Sequence, residues 1–253
     1  MNQNLEKMNQ MRLLGMARAF QQTLESGKNE TFTPDEMITH LVDSEWDERY
    51  NRKLDRTLRD ARFRYKASVE QLNFEAGRVD KNQVLRLADC EFIRRKENII
   101  LTGSTGIGKS YLASAIGHQA CCTGYRVLYQ HSTKLFARMK IAKADGSYIK
   151  ELARVERQHL LIIDDFGLQP LDAQSRSTLM EIIEDRHGKA STIITSQVPV
   201  SLWHEVIGEQ TIADAILDRL VHDANRLDMK GESMRRKKDN LSDSITDLEK
   251  NKN

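Results

Sequence analysis

Apolar residues first recur at helical spacing: Leu13, Ala17, Phe20 and Leu24 stand three or four positions apart, which marks one face of a helix. "SGKNE" interrupts that pattern and "TPDE" restarts it. Thr33 fits an N-cap, Pro34 the first helical position, and Glu36 the third, which together make a capping box. Over 46–66 a helical projection gathers Trp46, Tyr50, Leu54, Leu58, Ala61 and Tyr65 into an arc of about 120°. Residues 67–97 read as a connecting segment with short helices. From there the period changes. Short β-like apolar runs fall at 98–101, 126–129, 160–164, 191–195 and, less apolar than the rest, 226–229, with helical stretches between them. Such alternation predicts a parallel sheet covered on both faces. The expected division is a small all-α N-terminal domain over 1–66, the connector, an α/β domain over 98–238, and a disordered tail over 239–253.

Charge alters this picture only locally, because 39 basic and 37 acidic residues leave a net charge of +2. Eight cations lie between 49 and 66 against Asp55 and Asp60. Arg49, Arg52, Lys53, Arg56, Arg59, Arg62 and Lys66 oppose the apolar arc, and Arg64 strays to its edge. Two readings stay open: a nucleic-acid phosphate contact, for which Arg49, Arg52, Lys53, Arg56 and Arg59 are the candidates, or a solvated or protein-facing surface. A second basic stretch, "RMKIAKADGSYIK", carries Lys140 and Lys143 beside Arg138 and Lys150; it is a further DNA candidate or an exposed helix pair with a turn. "RRKK" at 235–238 is a third. Cys90, Cys121 and Cys122 form neither a disulfide framework nor a zinc pattern. The start has no signal-peptide layout, and no run approaches the ~20 apolar residues of a membrane span. A cytoplasmic location is expected.

The chemistry concentrates in two stretches. "NIILTGSTGIGKSYLASAI" reads as strand, loop and helix, and Gly103, Ser104, Thr105, Gly106, Ile107, Gly108, Lys109 and Ser110 fit GxxxxGK[ST] at every fixed position. Glycines let the loop amides converge on phosphate oxygens while the helix N-terminus faces the same anion. Lys109 is expected to reach the β- and γ-phosphates of ATP, Ser110 to ligate Mg²⁺, and Tyr111 to close the binding stretch. "LLIIDDFG" then sets two acids behind four aliphatic residues. Buried paired acids are costly unless something cationic holds them. Asp164 as a Mg²⁺ ligand and Asp165 as the residue that orients or deprotonates the attacking water satisfy that need; a pairing of both acids with a buried arginine is the other reading.

The phosphate loop, "LLIIDDFG", "TIITSQVP" and "TIADAILDRLVH" together resemble AAA+ ATPases of the initiator and helicase-loader clade. "WHEVIGEQTIADAILDRL" brings the resemblance closer, to IstB-like transposition helpers, over about residues 5–238. It implies a five-stranded sheet in the order 5-1-4-3-2. It also implies a γ-phosphate sensor at Gln197, with Ser196 as the fallback, and an arginine, Arg219, that enters a neighbouring subunit's site. Arg235 is a weak match to a lid arginine. The implied partners are duplex DNA gripped through its backbone, a cognate transposase and further copies of the same chain.

The usual AAA+ pair is Asp-Glu, whereas this chain has Asp-Asp. Losing a methylene draws the second carboxylate back by roughly one bond, ~1.5 Å. A ~1 Å misplacement can cost on the order of 100-fold in rate, so slow basal hydrolysis is expected. The alternative within the fold is a helicase loader acting on single-stranded DNA. A P-loop kinase would need an acceptor lid that the sequence does not display, and a non-hydrolysing scaffold would use Asp165 for metal alone.

Overall fold

The computed structural model describes residues 3–27, 32–74 and 79–231. The chain divides into two compact units, Met1–Thr57 and Leu58–Asn253. The first unit is helical. Helices α1 (Gln3–Gln10) and α2 (Leu14–Glu25) precede α3 (Pro34–Ala61), which crosses the boundary between the units. The capping box at the start of α3 is formed: the Thr33 N–H donates to Glu36 Oε2 at 2.8 Å and the Glu36 N–H to Thr33 Oγ1 at 3.3 Å. No side chain of its own caps α2. Instead Glu45 of α3 accepts from the N–H groups of Gly15 (2.8 Å) and Met16 (3.3 Å), and also holds Arg49 at 2.7 Å. A carboxylate at a helix N-terminus satisfies orphan donors and the helix dipole together. Gly15 permits the crossing, since a Cβ there would lie 2.3 Å from the Ser44 carbonyl oxygen.

The helix expected through 66 stops at Ala61, because Arg62 turns to a φ of +58°. Tyr65 therefore belongs to the following segment and not to the apolar arc. That arc is only partly covered, for Trp46 is 74% exposed while Ala61 is fully buried.

The second unit continues through α4 (Lys81–Ala88), α5 (Glu91–Arg94), β1 (Ile99–Gly103), α6 (Lys109–Cys122), β2 (Val127–His131), α7 (Ser132–Asp145), α8 (Tyr148–Glu156) and β3 (Leu160–Phe166). It then runs α9 (Ala173–Arg186), β4 (Ser191–Ser196), α10 (Trp203–Ile207), α11 (Gln210–Val221) and β5 (Asn225–Met229). The five strands pair in parallel in the order β2-β3-β4-β1-β5, which is the expected order read from the other edge. Ile99–Leu101, Leu160–Ile163, Ile193 and Ile194 are buried, as strands covered on both faces must be.

Two anchors fix the surroundings of the sheet. Trp203 is fully buried, donates its indole N–H to the Val198 carbonyl at 2.9 Å, and meets Phe166 edge-on with centroids 4.9 Å apart. Arg186 is a buried cation in no ion pair among the described residues. Its guanidinium donates to the carbonyls of Val155 (3.0 Å), Gln158 (3.0 Å) and Ser191 and to Thr192 Oγ1 (3.2 Å), and burial lowers its pKa to about 10. Cys90, Cys121 and Cys122 are free thiols, and burial raises Cys121 to about 12. Among the described residues no helix is long and apolar enough to cross a membrane. Arg235, "RRKK" and the 239–253 tail lie outside the described residues.

Candidate nucleotide site

β1 delivers the chain to the phosphate loop and α6 carries it away. Gly103 has a φ of +143°, and a Cβ there would meet the Met229 carbonyl oxygen at 2.4 Å, so glycine is required by both backbone and space. Gly108 (φ +110°) stands at the N-cap of α6 without a side-chain cap, leaving the first-turn amides to an anion. Lys109 is nearly buried, and its ammonium donates to the carbonyls of Gly103 (2.7 Å) and Ser104 (2.9 Å). Burial pulls the Lys109 pKa down more than Asp165 and Asp164 lift it. Across the loop, Thr105 Oγ1 donates to Gln197 Oε1 at 2.5 Å.

The two acids sit where β3 departs from regular pairing. Ile163 faces Ile194 and Phe166 faces Ser196, so Asp164 and Asp165 share one position of β4, that of Thr195. A bulge of this kind re-aims side chains. It sets Asp165 at a φ of +56°, a conformation that aspartate enters more readily than most non-glycine residues. Asp164 is completely buried. Thr195 Oγ1 donates to its Oδ1 at 2.6 Å, and the Tyr129 hydroxyl donates to its Oδ2. Burial first, then the bond to Asp164, raises the Tyr129 pKa. Thr195 Oγ1 also accepts the Asp165 N–H at 3.0 Å, so one hydroxyl locks both acids.

The cation facing this pair is Arg64. Its Nη1 lies 3.4 Å from Asp164 Oδ2 and 3.2 Å from Asp165 Oδ2, with its side chain 41% exposed. His131 Nε2 approaches Asp165 Oδ2 at 3.4 Å, and its Nδ1 is the buried side-chain polar atom without a hydrogen-bond partner among the described residues. An arginine does hold both acids, yet it is not buried.

The Ser110 hydroxyl and the Asp164 carboxylate are hard oxygen donors of the kind that suit Mg²⁺. They stand at the start of α6 and the end of β3. Beside them opens a cleft of about 550 Å³ whose walls include the polar Lys109, Ser110, Asp165 and Gln197 and the apolar or aromatic Tyr65, Leu72, Phe74 and Tyr111. Lys109 and Ser110 offer donors to phosphate, and the rings of Tyr65, Phe74 and Tyr111 a surface for a base. Tyr111 donates to Gln71 Oε1 at 3.2 Å and its ring lies 6.0 Å from that of Tyr65.

Arg219 is remote from this cleft. Asn98, just before β1, donates its amide to the Arg219 carbonyl at 3.2 Å, while the phosphate loop leaves the far end of that strand. Arg219 pairs with Glu184 at 2.6 Å, and not with the neighbouring Asp214 or Asp218. The DNA candidates of α3, Arg49, Arg52, Lys53, Arg56 and Arg59, are all exposed, and Arg49 pairs with Glu45 (2.7 Å) and Arg52 with Glu48 (3.5 Å). Lys140 pairs with Asp172, and Lys143 lies 4.5 Å from the Tyr148 ring centroid. Ser196 donates to the Phe166 carbonyl at 2.7 Å and is buried, which leaves Gln197 as the strand-end group facing the loop.

Sequence reasoning missed Arg64, Tyr129, His131 and Thr195. Thr195 stood inside "TIITSQVP", one residue before the sites chosen. Arg64 gave one faint signal, as the cation out of phase with the helix expected there.

The whole chain resembles proteins of insertion sequences. It is 46% identical over 233 residues to y4pL of Sinorhizobium fredii, named as an insertion sequence ATP-binding protein, covering 92% of this chain and 95% of that protein. The ATP-binding protein of insertion sequence IS21 from Pseudomonas aeruginosa is 34% identical over 213 residues, 83% of this chain and 80% of that one. Among solved structures, the DnaC helicase loader (TM-score 0.54, 21% identity, 66% of this chain and 98% of that chain) and DnaI (TM-score 0.58, 19% identity, 70% and 94%) share the fold. The family model described as IstB-like ATP binding protein matches residues 6–242. The chain belongs to the IstB-like ATP-binding protein family of insertion sequences.

Proposed function

We propose that the protein is an ATP-dependent regulator that oligomerises on duplex DNA and assists a partner transposase, with slow ATP hydrolysis as its switch. The amides of Gly103–Tyr111 and the Lys109 ammonium take the β- and γ-phosphates. Mg²⁺ held by Ser110 and Asp164 would neutralise charge on the phosphate oxygens. Asp165 orients the attacking water, and Gln197, beside Thr105, faces the γ-phosphate side of the loop.

The observation that carries this reading is the distance between Arg219 and its own phosphate loop. They lie at opposite ends of a five-residue strand, roughly 16 Å of rise, beyond the reach of an arginine side chain. A second copy is then the natural recipient, and such a trans arginine is worth on the order of 10³–10⁵ in rate. Low turnover by separated subunits follows. The exposed cations of α3, Arg49, Arg52, Lys53, Arg56 and Arg59, support a sequence-independent phosphate contact. The names of the insertion-sequence relatives support the transposition role over a helicase loader.

The test is complementation. Arg219→Ala keeps an intact site but lends no arginine, whereas Lys109→Ala lends its arginine but has no working site. Each variant alone should be inactive in phosphate release on duplex DNA, and an equimolar mixture should regain activity. A mixture as inactive as its parts, with both variants assembled, would remove the shared site.

A further inference from the structure

We infer that Arg64 is a nucleotide-state ligand: it holds Asp164 and Asp165 in this structure and turns to the γ-phosphate when those carboxylates serve a metal-bound nucleotide. The inference rests on nucleotide binding at the site proposed above, and on neither DNA nor the transposase.

The geometry is specific. One guanidinium nitrogen bridges Asp164 Oδ2 at 3.4 Å and Asp165 Oδ2 at 3.2 Å, the oxygens that a divalent cation and the attacking water would need. Mg²⁺ demands near-ideal octahedral geometry at about 2.1 Å from its oxygens, so a guanidinium in the same space must move. Arg64 can do so without unfolding anything. Its side chain is 41% exposed and follows the break at Arg62, outside α3. Its guanidinium carbon also lies 5.4 Å from the Tyr65 ring centroid, a contact that tethers it at the mouth of the cleft.

Charge decides where it goes. Arg64 and Lys109 are the cations among the described residues that line the cleft, and a triphosphate brings more negative charge than a diphosphate. Lys109 addresses the β- and γ-phosphates from the start of α6, while Arg64 stands on the carboxylate side, where it would meet the terminal phosphate from another direction. Arginine suits that task because its planar fork gives two parallel bonds to a phosphate. The same side chain would thus distinguish ATP from ADP and relay the difference to the turn behind α3.

The experiment is calorimetric titration of the full-length chain with the non-hydrolysable analogue AMPPNP and with ADP, both with Mg²⁺. Wild type is compared with Arg64→Gln and Arg64→Lys, with thermal unfolding alongside. Arg64→Gln should weaken AMPPNP binding about tenfold or more and change ADP binding by less than twofold, with Arg64→Lys between. Equal losses for both nucleotides would make Arg64 a structural residue, and tighter binding of both would make it a mere competitor of the metal. Either overturns the inference, as does no change. Should Arg64→Gln fail to fold, Arg64→Lys carries the same comparison, and a preserved AMPPNP-to-ADP ratio refutes it. Nucleotide binding by wild type together with lost duplex binding would sink the proposed function alone.

Discussion

Replacing Thr195 by valine keeps the shape of a fully buried side chain and deletes one oxygen. That oxygen donates to Asp164 Oδ1 at 2.6 Å and accepts the Asp165 N–H at 3.0 Å. Losing a bond to a charged acceptor costs about 1.5–3 kcal/mol and leaving the part-buried Asp165 N–H without its acceptor about 1–3 kcal/mol, so the loss should be about 2.5–6 kcal/mol. For a unit of this size that corresponds to roughly 5–24 °C in Tm. Tryptophan emission is a suitable probe in a Trp46→Phe background, because Trp203 is buried in the same unit while Trp46 is largely exposed. Urea unfolding without nucleotide should show the loss in Thr195→Val, whereas Thr195→Ser, which retains the hydroxyl, should lie within about 1 kcal/mol of wild type. A Thr195→Val protein within about 0.5 kcal/mol of wild type would refute the claim that this hydroxyl locks the carboxylates.

Glu45→Gln should destabilise the N-terminal unit by about 1–3 kcal/mol. Burial raises the Glu45 carboxyl, but bonds from Arg49, Met16 and Gly15 outweigh it and leave the pKa below the ordinary 4.5. The stabilisation is therefore complete above about 4.5 and lost as pH falls through the lowered folded value; melting curves of both proteins should converge in acid, and a gap that widens there would reverse the sign. Arg186→Met should destabilise the second unit by about 3 kcal/mol or more, because buried carbonyls lose their donors; an unchanged urea midpoint would contradict that role.

The fold was legible where the period of the pattern was long and clean. "LLIIDDFG" and "TIITSQVP" became neighbouring strands around their aliphatic runs, Leu160–Ile163 and Ile193–Ile194, and "TPDE" became a capping box because its residues act locally. The phosphate loop was legible for the same reason: its glycines answer a backbone demand visible in eight consecutive residues. What escaped was made by tertiary structure. Arg64 reaches acids 100 residues further along the chain, and nothing at helical spacing announces the φ of +58° at Arg62 that frees it. The bulge that gives Asp164 and Asp165 one partner position depends on β4, which neither acid's own segment contains. The basic face of α3 looked uniformly cationic, yet Glu45 and Glu48, just upstream of the run, neutralise part of it.

The most direct measurement is duplex DNA binding with particle mass followed in parallel, in ATP, a non-hydrolysable analogue, ADP and no nucleotide, with single-stranded DNA as comparison. The account predicts tight binding to duplex by a multi-subunit particle in ATP or the analogue alone. Binding that ignores nucleotide, or a monomer on DNA in every state, would contradict it.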